Sequence, residues 1–468
     1  MSYLEFDNAY GFSEKAGFQL TGKQIEAVDE AARFSKVLLN LEVGVGKTVI
    51  ATAIALMLGY EKNLVVVPPI LVTPWLKWLV QMGCNVIAYR GTPAQRKAMD
   101  LKSASWIIMS HDIFRRDFEL IRASVSKFSY GLILDEAQAL KSPKSVLFRS
   151  VLQLTAGEHG LQLLTGTPIS SVLDSYSYIK LKTPQAYRSY GQFVNMHVKE
   201  YDFFNNPKEF QNLDLLKQNF DIQTITGTKE EFHGFKLEPI FPDGTYELDP
   251  QHYKLYLQLV EEQLLLCGDG SVIDATTSQR LYQALQQVVC NWSHFSGDPS
   301  KRSAVYDIID QTVEETECVD PAKSKLIIWT RAKMTSRSVL AYCNDKLKVK
   351  AVAAYSEADS EKSVKAFMED PHTRILVGQP RSCGAGLNPQ HICWEALYVE
   401  LESSSILMRQ SLGRIVRVGQ KHTPRVKIAV AKGTIQESVF RRLLQNDDQV
   451  ARIETSKQSV KNMLLGIS

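Results

Sequence analysis

A chain of 468 residues, 44% hydrophobic and 22% charged, has the make-up of a globular protein of roughly two to four domains, each able to bury a core. A net charge of +3 excludes a globally basic nucleic-acid coat and leaves room only for a local basic surface. Seven cysteines without a C-x-x-C or a paired histidine motif exclude a zinc site and point to reduced thiols. The most apolar stretch, Leu64 to Leu76, is broken by Pro68, Pro69 and Pro74 and is too short to span a bilayer.

The start, Met1 to Asn8, carries Glu5 and Asp7 and lacks the apolar core of a signal peptide, and no 20–50-residue repeat is visible. Thr21-Gly22-Lys23-Gln24 then precedes apolar residues at helical spacing. Gln24 is either the partner of a Thr21 capping box or, with a phosphate-binding turn shortly downstream, an amide that hydrogen-bonds adenine. Val37–Leu39, the turn Leu41-Glu42-Val43-Gly44-Val45-Gly46-Lys47-Thr48 and the apolar pattern from Val49 to Leu56 read as strand, Gly-rich turn and helix. Such a turn aims backbone N–H groups and a helix N-terminus at one point, which suits a phosphate chain. Gly44, Val45, Gly46, Lys47 and Thr48 form the expected nucleotide site, with Lys47 on the outer phosphates and Thr48 on Mg²⁺. Leu41 stands where the strict motif has its first Gly.

Asn63–Val67 is a buried strand stopped by Pro68-Pro69, and Thr73-Pro74 reads as N-cap and first residue of the next helix. Asn85–Tyr89 and Trp106–Met109 are further strands, the second ending in Ser110-His111. Short apolar strands alternating with helices predict a parallel, doubly wound sheet with its ligands at the carboxyl ends of the strands. Tyr130–Leu134 ends in Asp135-Glu136-Ala137-Gln138. Two adjacent carboxylates on a buried strand need a cation, so Asp135 is placed for Mg²⁺ and Glu136 to polarise a water. Leu163–Leu164 ends in Thr165-Gly166-Thr167-Pro168, a further strand end with hydroxyls.

From about 172 to 300 this rhythm lapses, and aromatic and Gln-rich helical segments are expected. Pro239, Pro242, Gly244 and Pro250 mark a lobe boundary. Alternation returns at Leu326–Trp329, Val349–Ala353 and Arg374–Val377, followed by the Gly-rich turn Gly384-Ala385-Gly386-Leu387-Asn388. This half has no Gly-Lys-Thr. It ends in Gln410-Ser411-Leu412-Gly413-Arg414-Ile415-Val416-Arg417-Val418-Gly419-Gln420, where the three-residue spacing of Arg414 and Arg417 predicts one helix face.

Gln24, Gly-Val-Gly-Lys-Thr, Asp-Glu-Ala-Gln, Leu-Thr-Gly-Thr-Pro and Gln-x-x-Gly-Arg-x-x-Arg occur in the order used by superfamily-two helicases. Within that group the chain resembles the Swi/Snf-type DNA translocases in Glu42, in Pro68 followed by Trp75, and in the Gly419-Gln420 trailer. It departs from them in Gln138, usually His, in Cys383, usually Gly, and in the weak basic character of Gln223–Lys229.

The resemblance implies an α/β fold of two RecA-like, doubly wound parallel-sheet lobes with helical insertions near their junction. The expected lobes are 1–235, with an insertion at about 172–230, and 236–468, with one at about 250–300. It implies ATP and Mg²⁺ as cofactors and a DNA-dependent ATPase without accessory modules. Lys47, Glu136, Gln410, Arg414 and Arg417 would be catalytic, the last two as arginine fingers, and Gln138, Thr165 and Thr167 would couple the lobes. Candidate backbone contacts for nucleic acid are Ser110, Thr167, Arg331 and Ser382. The implied activity is translocation on double-stranded DNA by a monomeric motor, with no membrane partner. The expected setting is the cytoplasm of a bacterial or viral system, or a nucleus if the source is eukaryotic. Two alternatives stay open: a strand-separating or annealing helicase on forks, R-loops or RNA, and a nucleotide-gated switch that is not a motor.

Overall fold

The computed structural model describes residues 1–443, apart from 141, 158, 170, 202–206, 235–236, 267–271, 276–277, 356–359, 384–386, 403, 418 and 442. Its contacts divide the chain into two compact units, the first built on Met1–Lys236 and the second on Leu237–Asp447.

In the first unit the strands are β1 (Lys36–Leu41), β2 (Lys62–Val67), β3 (Val86–Ala88), β4 (Trp106–Ser110), β5 (Tyr130–Asp135), β6 (Gly160–Thr165), the pair β7 (Val198–Tyr201) and β8 (Pro207–Phe210), and β9 (Thr224–Gly227). Seven of them form one sheet in the order β3-β4-β2-β5-β6-β1-β9, and every pairing is parallel. The near-continuous apolar runs require this, because side chains alternate between faces and both faces must be covered. Leu38, Leu64, Val66, Met109, Leu132, Leu134 and Leu163 pack into the core on one face. Val37, Leu39, Val65, Ile108, Ile133 and Leu164 pack into the core on the other.

Two expectations for this unit change. The helix expected to open at Thr73-Pro74 opens at Val72 and runs to Gln81, because a 3-10 turn at Pro69–Leu71 already carries the chain into it. Pro74 is tolerated, since its missing N–H falls in the first turn, where no intrahelical acceptor exists. The stretch 172–230, expected to be helical, also holds the antiparallel β7–β8 hairpin and β9, which lies parallel to β1 at the sheet edge. Thr224-Ile225-Thr226-Gly227 lacks an apolar run because an edge strand buries alternate residues only. Lys182 fastens the approach to it. Its ammonium donates to the carbonyls of Phe220 (2.6 Å) and Ile222 (2.7 Å) and to the Thr224 hydroxyl, and burial pulls its pKa down to about 7.

The second unit contains β10 (Thr245–Tyr246), the hairpin β11 (Leu264–Leu266) and β12 (Val272–Asp274), β13 (Lys325–Trp329), β14 (Ala351–Ala354), β15 (Ile375–Gly378), β16 (Cys393–Tyr398), β17 (Arg425–Ile428) and β18 (Val430–Ala431). Five form a parallel sheet in the order β14-β15-β13-β16-β17. Strands β16 and β17 were not anticipated. Glu395 interrupts the apolar run of the first, and Lys427 that of the second, although both are buried. The helices Pro250–Glu262 and Ser278–Cys290 lie in the expected helical stretch, together with the β11–β12 hairpin. Gly384, Ala385 and Gly386 of the Gly-rich turn lie outside the described residues. Among the described residues no helix is long and apolar enough to cross a membrane.

One feature of the first sheet depends on absent side chains. Gly131 and Gly160 face each other across β5 and β6, and the Tyr60 ring lies over both. A Cβ at Gly160 would fall 2.5 Å from that ring. Gly160→Ala should therefore destabilise the first unit by about 1–3 kcal/mol, an overpacking cost, seen as a lower denaturant midpoint. Adding Tyr60→Leu should recover part of the loss.

Candidate active site

Strand β1 delivers the Gly-rich turn. Leu41 is its last, fully buried residue, so the position that lacks a Gly is regular strand and needs none. The left-handed conformation is confined to Gly44 and Gly46, with φ of 96° and 99°. Gly46 is the N-cap of the helix Lys47–Leu58 and supplies no side chain to its first N–H groups. Lys47 folds back over the turn and donates to the carbonyls of Leu41 (2.9 Å) and Glu42 (3.1 Å). Glu42 ties the turn to the sheet edge: its N–H donates to the Gly227 carbonyl (3.0 Å), and its carboxylate accepts the Lys229 N–H (2.7 Å).

Gln24 forms the capping box with Thr21. Its Oε1 accepts the Thr21 N–H (2.9 Å), and Thr21 Oγ1 accepts the Gln24 N–H (3.3 Å). Its Nε2 also donates to the carbonyl of Val45 (2.7 Å), and a Cβ at Gly46 would meet that Nε2 at 2.7 Å. The amide thus holds the phosphate-loop backbone as well as the helix start. Thr48 lies in the first turn of the helix, half-buried.

The paired acids sit at the end of β5, two strands from β1 in the order β5-β6-β1. Asp135 is buried. Its Oδ2 accepts the indole N–H of Trp75 (2.9 Å), its Oδ1 accepts the Glu136 N–H (2.9 Å), and its carbonyl oxygen lies 3.0 Å from His111 Nε2. Burial, and then the neighbouring Glu136 charge, push its pKa up to about 6, against the pull of Trp75 and Lys47. Glu136 itself adopts φ +53°, a left-handed conformation costing about 1–2 kcal/mol for a residue with a side chain. Its carboxylate accepts from Gln138 Nε2 (2.6 Å), Gln138 Oε1 accepts the Thr165 hydroxyl (2.8 Å), and Thr165 Oγ1 accepts the Thr167 N–H (3.0 Å). Gln138 in place of His thus still bridges from the acid to the end of β6.

A divalent cation fits this arrangement. Asp135 is a buried carboxylate at a strand end, and the Thr48 hydroxyl lies on the helix that follows the phosphate loop. Among the described residues no cluster of three or more His, Cys, Asp or Glu could hold a metal by itself. Mg²⁺ takes one or two protein ligands and completes its shell with water and phosphate oxygens.

In the second unit the helix carrying Gln410 ends at Leu412, with Gly413 as its cap. Arg414 and Arg417 therefore do not share a helix face. The chain continues in turns (Arg414 N–H to Ser411 O, 3.1 Å; Val416 N–H to Leu412 O, 3.0 Å). Both guanidiniums reach the same segment instead. Arg414 is buried, with Nη1 donating to the Leu387 carbonyl (3.4 Å), and Arg417 Nη1 donates to Asn388 Oδ1. Burial lowers the Arg417 pKa.

The candidate nucleic-acid contacts are engaged within the fold. Ser110 is buried and caps the helix His111–Arg116 through the Ile113 N–H (3.3 Å), and Thr167 is buried at the end of β6. Arg331 lies over the Tyr282 ring and 3.7 Å from Glu402. Ser382 is half-buried in the helix Pro380–Cys383, its N–H on the Gln379 carbonyl. Trp75 and His111 were missed as site residues. The available signal was position: Trp75 lies on the helix after β2, the strand beside β5, and His111 comes directly after β4, one strand further out.

Residues 24–239 match the family model of the SNF2-related domain. The chain is 24% identical over 443 residues to a Mycoplasma pneumoniae protein described as an uncharacterized ATP-dependent helicase, covering 90% of this chain and 40% of that protein. It is 23% identical over 440 residues to the TATA-binding protein-associated factor MOT1 of Saccharomyces cerevisiae, covering 81% of this chain and 23% of that protein. A solved structure, the Sulfolobus solfataricus SWI2/SNF2 ATPase core in complex with dsDNA, is similar over 96% of this chain and 95% of its own, at 19% identity and a TM-score of 0.43. The chain spans about two fifths or less of the length of these two curated relatives.

The Asp135 environment has a measurable consequence without nucleotide or metal. Because folding raises its pKa, the folded state holds the proton more tightly. That stabilisation is complete below about pH 4 and is lost as pH rises through about 6. Asp135→Asn loses one of the two acceptors facing Trp75 and the Glu136 N–H, which costs about the same at every pH, but relative to the wild type it should gain about 1–3 kcal/mol between pH 4 and pH 7, as read by thermal unfolding of both proteins at both pH values.

Proposed function

We propose, for a chain whose residues 24–239 are an SNF2-related domain, that the protein is an ATP-hydrolysing motor that translocates on double-stranded DNA and displaces or remodels what is bound there. The observation that carries this reading is the bonded chain Glu136–Gln138–Thr165–Thr167, which joins the acid end of β5 to the end of β6, the strand beside the phosphate-loop strand. Through this chain a change at the acid is felt at the end of β6, which is the kind of link that would couple hydrolysis to movement.

Lys47 would neutralise the outer phosphates, Thr48 and Asp135 would hold Mg²⁺, and Gln24, which braces the loop, would offer its remaining amide capacity to adenine. Mg²⁺ held there would supply Lewis-acid stabilisation of the phosphoryl charge. Glu136 orients and deprotonates the attacking water. Gln410, Arg414 and Arg417 are assigned to the transferring phosphoryl group, with Arg417 as the finger. The track is assigned to duplex DNA on the family resemblance, and its contacts are phosphates, which makes them sensitive to salt.

The test is ATP turnover without nucleic acid and with duplex DNA, single-stranded DNA, forked DNA or RNA, at several salt concentrations. Duplex DNA should stimulate most, and the stimulation should weaken as salt rises. Equal stimulation by RNA, or none by any nucleic acid, overturns the assigned track.

Lys47→Ala should abolish turnover with little loss of fold, since the carbonyls its ammonium bonds, those of Leu41 and Glu42, belong to its own loop. Arg417→Ala should leave ATP affinity within a few-fold and lower turnover by about 10³-fold, the usual worth of a finger. Lysine there should rescue little, because a point charge does not reproduce the planar fork. If turnover recovers fully at saturating DNA, Arg417 is a DNA contact instead.

A further inference from the structure

His111 is the first residue of the helix His111–Arg116 and comes directly after the end of β4. In the sheet, β2 separates β4 from β5. The His111 ring nevertheless spans that gap, and its Nε2 lies 3.0 Å from the carbonyl oxygen of Asp135. A carbonyl only accepts, so Nε2 carries the proton and donates. The backbone of His111 is anchored in turn, because Ser110 caps the same helix.

The Asp135–Glu136 peptide is thereby gripped on both edges, its C=O by His111 and its N–H by the Asp135 carboxylate at 2.9 Å. That plane sets φ of Glu136, which is +53° and left-handed. A glutamate has no intrinsic preference for this conformation and relaxes to negative φ when the constraint is lifted. Relaxation swings the Cβ away and withdraws the carboxylate from Gln138, its partner at 2.6 Å.

We propose that His111 is a positioning residue for hydrolysis: by holding the Asp135 carbonyl it keeps Glu136 in its left-handed conformation, with the carboxylate set for the attacking water. The inference rests on Glu136 being the hydrolytic acid of an ATPase.

The test uses the full chain with ATP and Mg²⁺ under single-turnover conditions, with nucleotide affinity measured separately by a fluorescent ATP analogue. His111→Phe keeps the bulk and loses the donor, whereas His111→Gln restores a side-chain N–H. The Phe variant should hydrolyse about 10-fold or more slowly, the scale of a misplaced catalytic group, with nucleotide affinity within about threefold. The Gln variant should recover at least about a third of the wild-type rate. In a Glu136→Gln background, His111→Phe should cost less than about twofold further, because residues that act as one unit are not additive. A merely structural role predicts the full loss again in that background.

Additive losses, a Phe variant at the wild-type rate, or a Gln variant no better than Phe would overturn the proposal. If the Phe variant does not fold, His111→Asn, whose amide is too short to reach the carbonyl, takes its place in the cycle. A wild-type chain without ATP turnover removes the ATPase reading itself, a result that no His111 variant can mimic.

Discussion

The Asp135 carboxylate is taken out of water at the end of a strand covered on both faces, and much of the first unit's local geometry answers to that burial. A buried carboxylate must be hydrogen-bonded or give up its charge. Trp75 supplies an indole N–H from the helix after β2, and the next peptide supplies its own N–H. To turn that N–H back onto the carboxylate, the chain enters the left-handed region at Glu136. The strain is held by contacts from three different strand ends: His111 after β4, Gln138 after β5 and, through Gln138, Thr165 of β6. These bonds do not fully offset the burial, so the pKa stays above the ordinary carboxylate range.

The opposite ends of the strands obey a complementary rule. Lys62, first residue of β2, donates to the carbonyls of Lys102 and Ala104, both at 2.6 Å. Lys325, first residue of β13, donates to the carbonyls of Phe367 and Asp370, at 2.5 and 2.8 Å, with Phe367 in the last turn of the helix Ser360–Glu369. Arg374, immediately before β15, donates to the carbonyls of Cys318, Asp320 and Lys323. Helix and loop carbonyls gather at the amino ends of a parallel sheet, and buried cations satisfy them, each such bond contributing about 1.5–3 kcal/mol. Acids and hydroxyls remain for the carboxyl ends, where the candidate site lies.

In the second unit the same division appears around Glu400. This fully buried carboxylate, just past β16, accepts the N–H groups of Arg331 and Ala332 and the Thr335 hydroxyl, and so fixes the start of the helix Lys333–Ala341. Burial raises its pKa, as it does that of Asp135. Here, however, all three donors come from a helix start, which makes Glu400 a structural anchor. Arg331 is held at its backbone by Glu400 and at its guanidinium by Glu402 and Tyr282.

The sequence alone determined the parallel strands and their loops wherever the chemistry is local. Apolar runs of strand length were legible at β1 to β6 and at β13, β14 and β15, and the Gly-Lys-Thr turn and the Asp-Glu pair lie at strand ends because each comes directly after such a run. The capping box at Thr21 and Gln24 was legible for the same reason, its partners being three residues apart. Tertiary structure decided everything that depends on partners distant in sequence. No local pattern shows that Trp75 reaches Asp135, that His111 crosses over β2, or that Glu42 clasps the N–H of Lys229. Nor does the three-residue spacing of Arg414 and Arg417 show that Gly413 stops the helix before them, so that both turn toward Leu387 and Asn388. Edge strand β9 stayed hidden because an edge buries only alternate residues. Strands β16 and β17 stayed hidden because the polar residues Glu395 and Lys427 sit at buried positions that only the folded chain makes tolerable. Periodicity records which faces are buried, whereas a hydrogen bond between distant side chains exists only once the sheet order has brought their strand ends together.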